Sequence, residues 1–169
     1  MNMTDCKTKL DWALEHAKLE FKLLATHGIV NGRCTCGDPH CSHPGKHPMF
    51  ANWCSDATDD PEEIVEIWTR YPYANIARLI GDDVVIDIDR RHGGYESYDV
   101  LNSRVGGLPK TPTALTGDDG AHLHYRCPAS YGITKAHSDL LPGVELKRGN
   151  SAATMPGSLH ISGRIYSWI

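Results

Sequence analysis

The sequence predicts an α+β protein with a mixed, largely antiparallel sheet, and three observations carry that prediction. Helical signals fall before Val105, whereas short strand signals split by Gly, Pro, Asp and Asn fill the chain after Pro109. There is no internal repeat and no low-complexity tail. The length of 169 residues suits one sizeable domain with its own core and is too short for two catalytic domains, so a single domain over 1–169 is expected.

The first element is a helix. From Lys7 to His27, Leu10, Ala13, Leu14, Ala17, Phe21 and Leu24 recur at helical spacing, with Thr4 or Asp5 as N-cap and Gly28 as terminator. Residues 28–58 are rich in Gly, Pro, Cys and His and have no period, which predicts a long loop ordered by a bound metal. "DDPEEIVEIWTRYP" reads as a short helix with Asp60 as cap, Pro61 at its first position and Pro72 beyond its end; Ile64, Ile67 and Trp68 mark its buried face. Strand signals follow at Asn75 to Ile80 and Val84 to Asp89, then a helix near Tyr95 to Val105 closed by Gly106 and Gly107. The remaining strand signals are "TPTALTG", "AHLHYRC", "GVELKRG", "SAATMPG" and "RIYSWI". Because the chain stops in or just after a strand signal, it reads as a domain of a longer protein.

Composition bounds the function. A hydrophobic share of 40% and a charged share of 22% exclude wholesale disorder. The net charge of -4 excludes a global basic field, so contact with nucleic acid must rest on a local basic surface. The start "MNMTDCKTK" lacks a secretory signal and no run is long enough to span a membrane, which predicts a cytoplasmic protein with no membrane partner. In that reducing compartment, Cys34, Cys36 and Cys41, crowded with His40, His43 and His47, favour metal over disulfide. Three thiolates and one imidazole, His43 or His47, satisfy a tetrahedral structural Zn²⁺. Cys6, Cys54 and Cys127 are expected to be free thiols.

Three stretches carry candidate chemistry. In "VVIDIDRRHGG" strand alternation places Asp87 and Asp89 on one face, where two carboxylates repel unless a cation lies between them. Hard oxygen ligands favour Mg²⁺ or Mn²⁺. The competing reading has one of the pair capping the strand end or pairing with Arg90 or Arg91. In "TGDDGAHLHYR" His122 and His124 share a face after a tight turn. In "GVELKRG" Glu145 and Lys147 share a face; Glu145 would complete a carboxylate triad, and Lys147 or Arg148 would hold phosphate. Gly93 and Gly94 predict a tight turn after the acidic strand.

Taken in order, "GKHP", Trp53, the acidic helix with Trp68, "YANI", "VVIDIDRRHGG", "LPKTPTALTG", "GAHLHYR", "GVELK" and "PGSLHISGRIYSW" resemble the bifunctional DNA primase/polymerase (Prim-Pol) N-terminal domain of the archaeo-eukaryotic primase superfamily. The resemblance runs from about Cys34 to Trp168. It implies an RRM-like catalytic sheet joined to an N-terminal helical and zinc-loop unit, and template-directed nucleotidyl transfer with Mg²⁺ or Mn²⁺. It places the catalytic acids on Asp87, Asp89 and Glu145, where Glu145 stands at a position that many relatives fill with Asp. His122 falls on the family's motif-two histidine, near the phosphates of the incoming nucleotide. Lys147, Arg148, Ser158 and His160 are then expected at the nucleotide, and His47 is favoured over His43 as the fourth zinc ligand. Lys46, on the same loop, is expected to reach template DNA. His124 stands where relatives often carry an aromatic or apolar residue and is a neighbour. The "GDDGAH" turn departs from the glycine-richer turn of relatives, and its Asp118 and Asp119 predict weakened nucleotide affinity.

The partners implied are a single-stranded DNA template, a primer, dNTPs or NTPs, and a helicase or further C-terminal domain, in a plasmid or phage setting within a bacterial or archaeal host. Two other classes compete with a primase/polymerase. One is a metal-dependent phosphohydrolase or nuclease using the same acids with water as nucleophile. The other is a degenerate, non-catalytic nucleic-acid-binding replication module, favoured by the net charge and the "GDDGAH" turn.

Overall fold

A computed structural model describes residues 7–132 and 136–169. The sequence signals for Thr4, Asp5 and Cys6 lie outside the described residues.

The first helix, α1 (Lys9–Ala17), is shorter than its periodicity predicts. Thr8 caps it in a reciprocal capping box with Asp11. The backbone then turns through Glu20, at φ 58°, and Leu23–Thr26 form strand β1, in which all four residues are buried. Phe21 and Leu24 continue the helical pattern without belonging to the helix: they pack in two different clusters of the core. The predicted long loop contains a small hairpin, β2 (Ile29–Val30) with β3 (Arg33–Cys34). Helix α2 (Pro61–Arg70) forms as read, with the Asp60 carboxylate accepting from Glu62 N at 2.8 Å and with Ile64 and Trp68 buried.

The two strand signals at Asn75 and Val84 are one strand, β4 (Asn75–Ile88). Gly81, at φ 60°, absorbs a register shift inside it, so "GDD" is an irregularity within a continuous strand. After a 3-10 turn (Arg90–His92) comes α3 (Gly94–Arg104). A side chain at Gly94 would lie 2.5 Å from the Gly143 carbonyl and 2.6 Å from that of Asp89, so the helix starts where only glycine fits. Strands β5 (Thr113–Leu115), β6 (Ala121–Tyr125), β7 (His137–Leu141), β8 (Val144–Thr154) and β9 (Ser167–Trp168) follow. "GVELKRG" and "SAATMPG" thus supply a single strand.

The sheet runs β7-β8-β4-β6-β5-β9, with β1 also on β4, and all the described pairings are antiparallel. Strand β4 is its centre. Strand β8 runs along one edge of β4, while β1 and β6 share the other. Alternation then divides the sheet into two faces. Ile86, Ile88, Ala121, Leu123 and Val144 pack beneath Tyr98 and Leu101 of α3. A second core joins Ala13 of α1, Ile64 and Trp68 of α2, Leu23, Ile76 and Met155. Between them, the side chains of Asp87, His122 and Glu145 are left on the face opposite α3.

Candidate active site

Asp87 lies directly opposite His122 of β6 on one side and Glu145 of β8 on the other. Directly paired residues share a face, so three strands deliver an imidazole and two carboxylates as one row. Lys147, two residues beyond Glu145, joins that face. Its Nζ donates to Asp87 Oδ2 at 2.7 Å and lies 3.8 Å from Glu145 Oε2. Burial opposes charge on both Asp87 and Lys147. Attraction prevails: the ring of His122, when protonated, and the Lys147 ammonium keep the Asp87 carboxyl below its ordinary range, and Asp87 with Glu145 raises the Lys147 ammonium.

His122 is buried, which pushes its basicity down and keeps the ring neutral near pH 7. Its Nδ1 lies 3.2 Å from the Thr154 carbonyl, an acceptor, so Nδ1 carries the proton and donates there. The Nε2 lone pair therefore faces Asp87 Oδ1 at 3.5 Å. Two acceptors facing each other favour a cation between or beside them, and Lys147 partly meets that demand.

Asp89 leaves the end of β4 and does what the competing reading proposed. Its carboxylate caps the 3-10 turn by accepting from Arg91 N at 2.9 Å, and it pairs with the Arg91 side chain and with His92 Nδ1. The bonds from Arg91 and His92 hold its carboxyl at about 2. It nevertheless lines the same cleft of about 850 Å³ as Asp87, Glu145, His122 and Lys147. Lys46, His43, Arg91, Asp118 and Tyr166 line it too. The three carboxylates, opening on one cleft, are a donor set that fits hard divalent cations.

Two of the predicted nucleotide contacts lie elsewhere. Arg148 projects from the other face of β8, where it donates to the backbone carbonyls of Asp82 and Asp83. Ser158 is wholly buried, and its hydroxyl closes a loop on Ile76, accepting from Ile76 N at 2.9 Å and donating to Ile76 O at 3.0 Å. It ties the segment after β8 to β4 and is not free to meet a nucleotide. His160 is buried with its Nε2 3.4 Å from Asp118 Oδ2. His124 is also buried, stacked on Phe21, with basicity lowered to about 2, foremost by burial.

The cysteine loop closes on itself. One potential ligand atom each from Cys34, Cys36, Cys41 and His47 all lie within 4.8 Å of one another. His47 Nε2 is 3.5 Å from both Cys34 Sγ and Cys41 Sγ. His43 turns to Ser42 and the cleft, and His40 stays exposed, so the imidazole of the cluster is that of His47. The donor set fits a tetrahedral structural zinc. Burial works against the Cys34 thiolate, but hydrogen bonds from the Cys36 and Gly45 amides help to bring the thiol down to about 7. The loop is tied to the sheet by Asn75, whose Nδ2 donates to the Gly45 and Leu159 carbonyls at 2.9 and 2.8 Å.

The sequence reading places Asp118 only as a negative charge near the nucleotide and gives Arg91 and Tyr166 no role in the site. The signal for Arg91 was its place immediately after the acidic strand. Tyr166 lies within the "PGSLHISGRIYSW" motif, and the fold brings it from the far end of the chain to pack near His122. No helix among the described residues is long and apolar enough to cross a membrane.

Comparison with curated proteins gives no match. A family model described as bifunctional DNA primase/polymerase, N-terminal, matches residues 13–169, nearly the whole chain. The chain therefore belongs to the bifunctional DNA primase/polymerase (Prim-Pol) N-terminal family.

Proposed function

We propose that this domain makes or extends primers on single-stranded DNA by template-directed nucleotidyl transfer, in the replication of a plasmid, phage or other mobile element. The observation that carries the reading is the row Asp87, His122 and Glu145 across three adjacent strands, with Asp89 at the end of the central one. A rigid sheet holds such groups in register. In the reaction a 3′-hydroxyl oxygen bonds to the α-phosphorus of a nucleoside triphosphate, the bond to the bridging oxygen breaks, pyrophosphate leaves, and the hydroxyl proton is lost.

Asp87, Asp89 and Glu145 would hold Mg²⁺ or Mn²⁺. Bound there, a pair of such ions activates the attacking oxygen and stabilises the leaving one. His122, with Nε2 open to the cleft, orients the phosphates once its ring takes up a proton. Lys147 sets the position of Asp87 and neutralises charge on the row. The Cys34, Cys36, Cys41 and His47 cluster would hold Zn²⁺ and fix the loop that carries Lys46. DNA and nucleoside triphosphates are the partners, and a helicase would act beside them.

The test is product chemistry. The purified chain is incubated with dNTPs or NTPs and Mg²⁺ or Mn²⁺, with and without primer and template, and the phosphate released is identified. Pyrophosphate in step with strand growth is the expected result. Orthophosphate without growth would assign the same acids to a hydrolase, and neither product from folded, metal-loaded protein would assign the chain to a binding module.

A further inference from the structure

Both aspartates of the "GDDG" turn are engaged. Asp119 pairs with Arg90 at 2.8 Å and with Arg164, and it lies toward solvent. Asp118 turns into the cleft. Its Oδ2 lies 3.2 Å from Arg91 Nη1 and 3.4 Å from His160 Nε2. Lys46 lines the same cleft, where burial lowers the basicity of its ammonium.

The other nitrogen of His160, Nδ1, is held by Ser162, with Oγ at 2.9 Å and the amide N at 3.2 Å, which aims Nε2 at Asp118. An imidazole and a guanidinium thus converge on one carboxylate, in a cleft that the Lys46 side chain also lines. The turn that holds it is locked in place. A side chain at Gly117 would lie 2.1 Å from His160 Cβ, and Ser162 Oγ donates to the Gly117 carbonyl at 2.9 Å. The backbone of Lys46 is fixed as well, between His47 of the cysteine cluster and Gly45, whose carbonyl accepts from Asn75.

We propose that Lys46, Arg91 and His160 form an anion subsite for nucleotide phosphate, which the Asp118 carboxylate fills in the free protein and which an incoming triphosphate takes over by displacing it. The identification of the anion as nucleotide phosphate rests on the function proposed above. The subsite itself rests on the convergence of donors on a carboxylate that lines the cleft with Asp87, Asp89 and Glu145. Arginine and lysine in a partly enclosed cleft suit phosphate oxygens, and Asp118 supplies a single carboxylate where a triphosphate offers several charged oxygens. The turn that seemed only to repel phosphate is then a built-in competitor for it.

The probe is inorganic tripolyphosphate, titrated by calorimetry in buffer without divalent salt, so that no effect of Asp118 on a metal enters. Asp118→Asn keeps the shape of the side chain and removes its charge. It should bind tripolyphosphate about tenfold more tightly than wild type, and Lys46→Met and Arg91→Met should each bind it about tenfold more weakly, the scale of one charge-assisted contact. Circular dichroism and melting confirm that each variant is folded. Asp118→Asn binding no more tightly than wild type overturns the proposal, as does undiminished binding in both cation variants. The two readings fail separately: tighter tripolyphosphate binding with no strand growth by wild type keeps the subsite and removes the polymerase, whereas strand growth with unchanged binding does the reverse.

Discussion

Lys147→Met removes the only ammonium that touches the acidic row among the described residues. Lys147 Nζ lies 2.7 Å from Asp87 and 3.8 Å from Glu145, and the Lys147 and Asp87 side chains are 26% and 20% exposed. Without it, the carboxylates of two directly paired residues face one cleft with no ammonium between them and repel. Exposed ion pairs are worth about 0–1 kcal/mol and broken buried ones cost about 3–5, so this half-buried pair should cost about 2 kcal/mol net. At about 2–4 °C per kcal/mol for a domain of this size, Tm should fall by about 4–8 °C. The loss should be full at pH 7 and shrink as pH falls through the lowered range of the Asp87 carboxyl, where its protonation ends the pairing with Lys147. Because the lysine competes with any cation for these oxygens, Mn²⁺ should raise the Tm of the variant more than that of wild type. Differential scanning calorimetry at pH 7 and pH 3, with and without Mn²⁺, reads all of this. An unchanged Tm at pH 7, or equal Mn²⁺ shifts in the two proteins, would refute the reasoning.

Three further outcomes follow from the geometry. Ser158→Ala leaves a buried amide and carbonyl of Ile76 without their side-chain partner and should cost about 1–3 kcal/mol in urea unfolding, while nucleotide affinity measured on the folded variant stays at the wild-type value. Cys34→Ser and His47→Ala should lose bound zinc, read by atomic absorption, whereas His43→Ala should keep it; zinc lost from His43→Ala instead of His47→Ala would reassign the cluster. Asp89, held at about 2 by Arg91 and His92, contributes stability that is fully present above about pH 4 and is lost as pH falls toward 2. Acid titration of wild type and Asp89→Asn should therefore show their stability difference closing across that window, and a constant difference would contradict the pairing.

The parts of the fold legible in the sequence are those set by local rules. Asp60, Pro61 and the Ile64 and Trp68 face determine α2 because cap, proline and period agree over one short stretch. The Asp87 and Asp89 pair stood out because period-two alternation leaves few reasons for acids in an apolar strand, and the order of the motifs supplied His122 and Glu145. What failed had competing local signals. Phe21 and Leu24 extend a helical period across a chain that reverses at Glu20, and β1 is buried throughout, so it shows no alternation. Gly81 imitates a turn but serves as a bulge within β4. Arg148 and Ser158 were misplaced because their partners, the Asp82 and Asp83 carbonyls and the Ile76 backbone, come from a distant strand. Asp118 was legible as a charge but not as a partner: Arg91 and His160 reach it only through the folded sheet.

The central claim is that the row built on Asp87 transfers nucleotides under the direction of a template. Primer extension tests it most directly, using the purified chain on a labelled primer annealed to templates that differ in the first unpaired base, with Mg²⁺ or Mn²⁺ and each dNTP or NTP singly, beside Asp87→Ala. The account predicts growth by the nucleotide complementary to that base and none from a folded Asp87→Ala. Growth retained in Asp87→Ala, or addition indifferent to the template base, would contradict it.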